Sequence, residues 1–169
     1  MRRQLSSLLI ISSLILLIFI YLPFLSAYFP SQINIPKNSD YIEIPKIGAK
    51  ALIIDNVDPW NRGEYEKALE KGVAKAKGFD NFFFAHSSLP PWKMTRTNTA
   101  FLRLGELKIG DQIIIHQDGT DFIHQVIDKK EVWPNEVDKL ITDQDVLILQ
   151  TCTPLGTDFK RLLIFAKPT

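Results

Sequence analysis

Hydrophobic and polar positions divide this chain into two unequal parts. From Gln4 to Pro36 no residue is charged, and residues 5–29 are dominated by Leu, Ile and Phe. That run matches the roughly 20 apolar residues a helix needs to cross a bilayer. From Tyr41 onward the pattern changes to short apolar runs broken by Gly, Pro, Asp and Asn. Runs at 41–45, 51–54, 81–85, 112–116, 121–127, 145–151 and 161–166 read as strands. Asp118-Gly119 is a strong hairpin signal between two of them. Residues 64–71 are good helix formers with Tyr65, Ala68 and Leu69 on one face, and Gly72 marks an end. Asp58-Pro59-Trp60-Asn61 reads as a turn leading into that helix. Residues 99–104 predict one or two helical turns, and the polar stretch 138–145 predicts a short one. About eight short strands punctuated by turns indicate an all-β fold with short helices, a sandwich or a closed barrel. A barrel leaves no exposed edge strand.

The basic start, Met1-Arg2-Arg3, precedes the uncharged run, which orients the N-terminus to the cytoplasm and the rest outside. A cleaved signal peptide would have an apolar core of about 7–15 residues. The run here is longer and reads as an uncleaved anchor. The organisation is then a cytoplasmic stub and transmembrane anchor over 1–29, a linker over 30–40 and a folded domain over 41–169. A net charge of +1 gives no argument for a nucleic acid partner. A single cysteine excludes an intramolecular disulfide, and an unpaired thiol outside the cell is a flag for reactivity.

That cysteine, Cys152, sits where an apolar run gives way to a Pro/Gly/Asp loop, and Arg161 opens the next run. A nearby cation favours the thiolate and can bear on the oxyanion of acyl transfer. Of three histidines, His86 ends the Phe-rich strand and begins a loop. His116 and His124 flank the Asp118-Gly119 turn and are expected to face each other as a solvated or cross-strand pair. No further Cys or His lies near them to complete a zinc set. No Gly-rich phosphate loop or His-Glu-x-x-His helix is present, and residues 118–121 are too short for a calcium loop. Singly, a buried Cys, an edge Arg and a packed His are ordinary. Their order and spacing together make a site.

The run Ile148-Leu149-Gln150-Thr151-Cys152, with Arg161 on the following strand, resembles the sortase family of bacterial surface cysteine transpeptidases. The family signature is Thr-Leu-x-Thr-Cys followed by a strand-borne Arg, with an upstream His ending a strand, usually after Gly. Here Ile148 stands for the first Thr, and Ala85 precedes His86. Ile42-Glu43-Ile44-Pro45-Lys46-Ile47-Gly48 resembles the opening strands, and the Leu-x-x-Leu-x-x-Gly-Asp phrase from Leu104 to Asp111 resembles the core. Pilus-building sortases carry an Asp-Pro-aromatic plug on a lid before the barrel. The Asp58-Pro59-Trp60 here follows two strands and is read as a turn. Papain-like enzymes place Cys before His, and L,D-transpeptidases set their Cys in Ser-His-Gly-Cys-x-Arg, so neither matches.

The resemblance implies a closed eight-stranded β-barrel preceded by one transmembrane helix, single-pass in the bacterial cell membrane with the domain extracellular. It implies Cys152 as nucleophile, His86 as general acid and base, Arg161 as substrate and oxyanion clamp, and Thr151 as a substrate-binding residue beside them. No cofactor and no metal are implied. The partners would be a Leu-Pro-x-Thr-Gly-like sorting signal of a surface protein or pilin, and an amine acceptor on the cell wall or a pilin. The acyl group would pass through a thioacyl-enzyme. The alternative is a catalytically inactive anchored barrel that binds a surface peptide or glycan.

Overall fold

The computed structural model describes residues 2–26, 33–140 and 145–169; the side chains of residues 2, 3, 5, 23, 24, 26 and 138 lie outside that description. Eight strands follow one another along the chain. They are β1 (Tyr41–Ile44), β2 (Ala49–Val57), β3 (Val73–Ala76), β4 (Phe82–Phe84), β5 (Gln112–Gln117), β6 (Thr120–Val132), β7 (Leu147–Thr153) and β8 (Lys160–Pro168). They close into a barrel in the order β1-β2-β3-β4-β7-β8-β6-β5. The β2–β3 and β4–β7 pairs run parallel, and the other neighbours are antiparallel. The closed barrel expected from the sequence is therefore present.

The parallel pair β4–β7 lies at the centre of the functional region, and its sequence explains why. A parallel pair is normally covered on both faces, so its strands read as continuous apolar runs. Phe82, Phe83 and Phe84 are all buried, as are Leu147, Ile148 and Leu149. Part of the outer cover is the helix expected over residues 64–71, the second of the chain, α2 (Arg62–Leu69). Asn61 caps it, its side-chain oxygen accepting a 3.3 Å bond from the Glu64 backbone N–H. Ala68 and Leu69 are buried, and the Tyr65 ring meets Phe84 edge-on at 6.3 Å and 83°. The helix ends two residues before the expected Lys71, in a turn where the N–H groups of Lys71 and Gly72 both reach the Ala68 carbonyl. Gly72 is required by close approach: a Cβ there would lie 2.2 Å from the Leu52 carbonyl oxygen on β2.

Some elements differ from the sequence expectation. β3 reads Val-Ala-Lys-Ala, a composition with little strand preference, and it is made by burial against β2 and β4. β2 and β6 extend beyond the apolar runs, β6 with an irregular register between Val126 and Asp128. Residues 99–104 form turns followed by a 3₁₀ turn at Leu104–Glu106. A further 3₁₀ turn, Pro134–Lys139, begins before the expected 138–145, of which 141–144 lie outside the described residues. The hairpin turns at Asp118 and Gly119, both with positive φ, so Gln117 pairs with Thr120. His116 therefore meets Asp121, and His124 meets Ile113. The two histidines do not face each other, because a two-residue turn sets the register three positions away from that pairing.

Ahead of the barrel, α1 (Arg2–Ser26) is a helix of 25 residues. Its described apolar side chains are exposed, from Leu8 at 64% to Leu25 at 55%. Among the described residues no helix is long and apolar enough to cross a membrane. The end of the expected anchor, 27–29, and the start of the linker, 30–32, lie outside the described residues.

Candidate active site

Three strand ends meet at one end of the barrel. Because β4 and β7 are parallel, the residues that follow them leave the sheet at the same end. Because β8 is antiparallel to β7, its first residues start there. His86 follows β4, Cys152 lies near the end of β7, and Arg161 lies at the beginning of β8. Cys152 and Arg161 are direct register partners. Opposed residues of an antiparallel pair hold their Cβ atoms about 4.5–5.5 Å apart, so the guanidinium and thiol share one locality. His86 is held from behind: the Ala85 N–H donates to the Gln150 carbonyl at 3.2 Å, and the Thr151 hydroxyl donates to the Ala85 carbonyl at 2.8 Å. All four residues proposed from the sequence, His86, Thr151, Cys152 and Arg161, line one cavity of about 790 Å³.

The walls of that cavity come from segments distant in sequence. Tyr65, Glu66 and Leu69 of α2 form one side, Phe82 and Phe84 the floor, and Leu155 to Asp158 of the β7–β8 loop another side. The Ser88 hydroxyl accepts a 2.9 Å bond from the Gly156 N–H, joining the loop that carries His86 to the loop after Cys152. Gly156 has φ +82, a conformation natural to glycine. The Arg161 guanidinium donates through Nη1 to the carbonyls of Asp158 at 2.8 Å and Lys160 at 3.2 Å, so its own loop fixes its direction.

Burial at the site favours the neutral form of both candidate catalytic groups. Burial raises the Cys152 thiol above its ordinary value; the Arg161 charge opposes this and Asp158 adds to it. Burial lowers His86 below its ordinary value, against the pull of Glu66 and Glu70. Glu66 is itself tied to Arg62 at 2.7 Å on the exposed face of α2.

Asp58-Pro59-Trp60 is a turn, as its sequence suggested. Its Asp58 carboxylate accepts from the Trp60 N–H at 2.9 Å, and the Asp58 N–H donates to Glu64 at 3.2 Å. What the sequence did not reveal is that Pro59 and Trp60 border the cavity, with Trp60 76% exposed. His116 and His124 lie outside the cavity lining. His116 stacks on Tyr41 at 3.9 Å and bonds to Asp121, and His124 lies 3.2 Å from the Phe122 carbonyl. Among the described residues there is no group of three or more His, Cys, Asp or Glu side chains able to hold a metal ion.

The Sortase domain family model matches residues 42–169, the barrel from the second residue of β1 onward. The chain belongs to the sortase family. It is 31% identical over 135 residues to sortase D of Bacillus subtilis (strain 168), covering 76% of this chain and 63% of that protein. Its fold is similar to that of sortase C1 of GBS pilus island 1, with a TM-score of 0.65 and 26% identity over 80% of this chain and 66% of that one. It is equally similar to a lid mutant of sortase A from Corynebacterium diphtheriae, with a TM-score of 0.65 and 26% identity over 88% of this chain and 78% of that one. The chain thus spans slightly less than two thirds of the first two relatives. The eight-stranded sortase barrel is shared with these proteins.

Proposed function

We propose that this sortase-family chain is a cysteine transpeptidase acting on a Leu-Pro-x-Thr-Gly-like sorting signal of a surface protein or pilin. The single observation that carries the reading is the convergence of His86, Cys152 and Arg161 on one cavity at the common end of β4, β7 and β8. In the first half-reaction Sγ of Cys152 attacks the scissile carbonyl carbon while His86 takes the thiol proton. The carbonyl oxygen becomes an oxyanion that the Arg161 guanidinium stabilises. The intermediate collapses to a thioester as His86 returns the proton to the departing amine. In the second half an amine of the cell wall or a pilin attacks the thioester. His86 takes its proton, an amide forms, and the Cys152 sulfur leaves and regains the proton. The neutral imidazole favoured by burial suits the role of base at the start of each half.

The membrane assignment belongs to the same proposal. A 25-residue helix that begins at Arg2-Arg3 and whose described apolar side chains are exposed supports a single-pass anchor with the barrel outside the cell. The test has two arms. A peptide carrying an electrophile in place of the scissile carbonyl should add covalently to the wild-type protein, seen by intact mass, and not to Cys152→Ala. His86→Ala should lose turnover, while His116→Ala and His124→Ala retain it. In cells the protein should sediment with membranes, and protease added outside should reach the barrel. Turnover by Cys152→Ala would remove the mechanism, and a cytoplasmic barrel would remove the substrate class.

A further inference from the structure

Trp92 stands apart from the rest of the loop that carries His86. Residues His86 to Pro90 line the catalytic cavity. The 3₁₀ turn that follows, Pro91–Lys93, lies outside that lining and leaves Trp92 77% exposed. The other two tryptophans have neighbours that account for them: Trp60 borders the cavity, and Lys160 sits over the Trp133 ring, 5.4 Å from its centre. Trp92 is nevertheless firmly held. Pro90 and Pro91 restrict two successive φ angles before it. The Lys93 N–H donates to the Pro90 carbonyl at 2.8 Å. Behind the turn, the buried Asn98 donates through Nδ2 to the Lys93 carbonyl at 2.8 Å and accepts from the Thr95 N–H at 2.7 Å. The Thr99 hydroxyl, also buried, donates to the Thr95 carbonyl at 2.6 Å. An indole fixed in this way offers a partner about 150–250 Å² of surface, with little backbone entropy left to lose.

What lies beside the turn identifies the partner. Helix α1 comes up to Pro91–Lys93. Among its described large apolar side chains Ile20 is the least exposed, at 40%, and the rest stay barer along the whole helix. The helix therefore meets the barrel toward its Ser26 end and does not lie along it. Arg2-Arg3 are at the opposite end, so on the anchor reading the turn stands at the outer end of the span. Trp and Tyr rings collect where bilayer gives way to water, their apolar body among lipid and their polar edge in the headgroups. Tyr21 follows Ile20 on α1, and Lys93 beside Trp92 offers a cation to lipid phosphates.

We propose that the Pro91–Lys93 turn is a second membrane contact, with the Trp92 indole seated in the headgroup region of the outer leaflet. This rests on the anchor reading and goes beyond it. A single helix joined through a linker sets how far the barrel can stray from the bilayer, and a second contact sets which side it turns toward it. Trp92 is six residues beyond His86, and six residues of extended chain span at most about 22 Å. The contact thus keeps the catalytic cavity within that distance of the lipid surface, facing peptides that themselves emerge from the membrane.

The chain has three tryptophans and none lies in α1, so Trp92 can be isolated as a probe. The full chain with Trp60→Phe and Trp133→Phe is reconstituted into vesicles of phosphatidylcholine and phosphatidylglycerol, with acyl chains either plain or brominated next to the headgroup. Flotation of the vesicles first establishes that the chain is inserted. Trp92 emission should be quenched by the brominated lipid, and less by lipid brominated near the bilayer centre. Trp92→Phe in the otherwise wild-type chain should abolish the same share of quenching by subtraction, a reading free of the double substitution. Equal Trp92 emission in plain and brominated vesicles that carry the floated chain would overturn the contact and leave the anchor intact, placing the indole in water or against another protein. A folded chain that fails to float with the vesicles would overturn both.

Discussion

Thr151 and Ala85 are joined by a 2.8 Å hydrogen bond from the Thr151 hydroxyl to the Ala85 carbonyl, across 66 positions of sequence. Each residue immediately precedes a candidate catalytic side chain, Cys152 or His86. The bond is buried, so its loss leaves a carbonyl that water does not reach. Thr151→Val keeps the shape and removes the hydroxyl. It should cost about 1–3 kcal/mol of stability and lower turnover with it, and Thr151→Ser should recover most of both. Thermal denaturation and peptide cleavage measure the two. Wild-type values in Thr151→Val would mean that β4 and β7 are held together without this link.

The charges around Cys152 make a signed prediction about its reactivity. The rate of alkylation by iodoacetamide follows the thiolate, and burial should set its inflection above the ordinary thiol value of about 8.5. Arg161→Ala removes the opposing cation and should move the inflection higher. Asp158→Asn removes an anion while keeping the carbonyl that holds Arg161, and should move it lower. A downward movement in Arg161→Ala would separate the guanidinium from the thiol.

Arg161 also tests the oxyanion role. Losing one such donor costs roughly 100- to 1000-fold in rate. Arg161→Ala should remain folded by circular dichroism and be nearly inactive on peptide. Arg161→Lys keeps a charge but not the planar fork, so it should rescue poorly. Lys160→Ala, altering the neighbour that lies 5.4 Å from the Trp133 ring centre, should stay close to wild type. Normal turnover by a folded Arg161→Ala protein would leave only the Cys–His pair.

His86 contributes to stability as well as to chemistry, and the sign is fixed by its burial. Its folded value is held below the unfolded one, near 6.5, so the unfolded chain takes up the proton first as pH falls. The stabilisation is fully present above the unfolded value and is lost as pH falls through the folded one. His86→Gln has no proton to gain there. Its denaturation midpoint should decline less than that of the wild type on moving from pH about 7 to about 5. Parallel declines in the two proteins would mean that His86 is as well solvated folded as unfolded.

Much of the barrel could be read from the sequence because its central strands declare themselves. Three consecutive Phe and the Leu-Ile-Leu before Gln150 have no role on a surface, and the Pro/Gly/Asp loop beyond Cys152 marks the return that pairs it with Arg161. β3 was silent, since Val-Ala-Lys-Ala becomes a strand only through its neighbours. The pairing of His116 with Asp121 was available by counting outward from Asp118-Gly119, and it required treating those two residues as the whole turn. The cavity walls were not available. The apolar face of α2 is visible in Tyr65, Ala68 and Leu69, but nothing local says that Tyr65 covers Phe84. The bond between Ser88 and Gly156 joins loops whose proximity only the closed sheet creates.

The ladder that opposes Cys152 to Arg161 has a consequence for how this protein ages and fails. A shift of one residue between β7 and β8 would set Cys152 against Lys160 or Leu162 and turn every side chain of the shifted strand to the other face. The pair therefore has no geometry apart from the barrel's own register. Thermal inactivation and loss of the barrel should coincide in one transition, and a preparation that has lost turnover by heating should hold no reservoir of folded but misaligned enzyme.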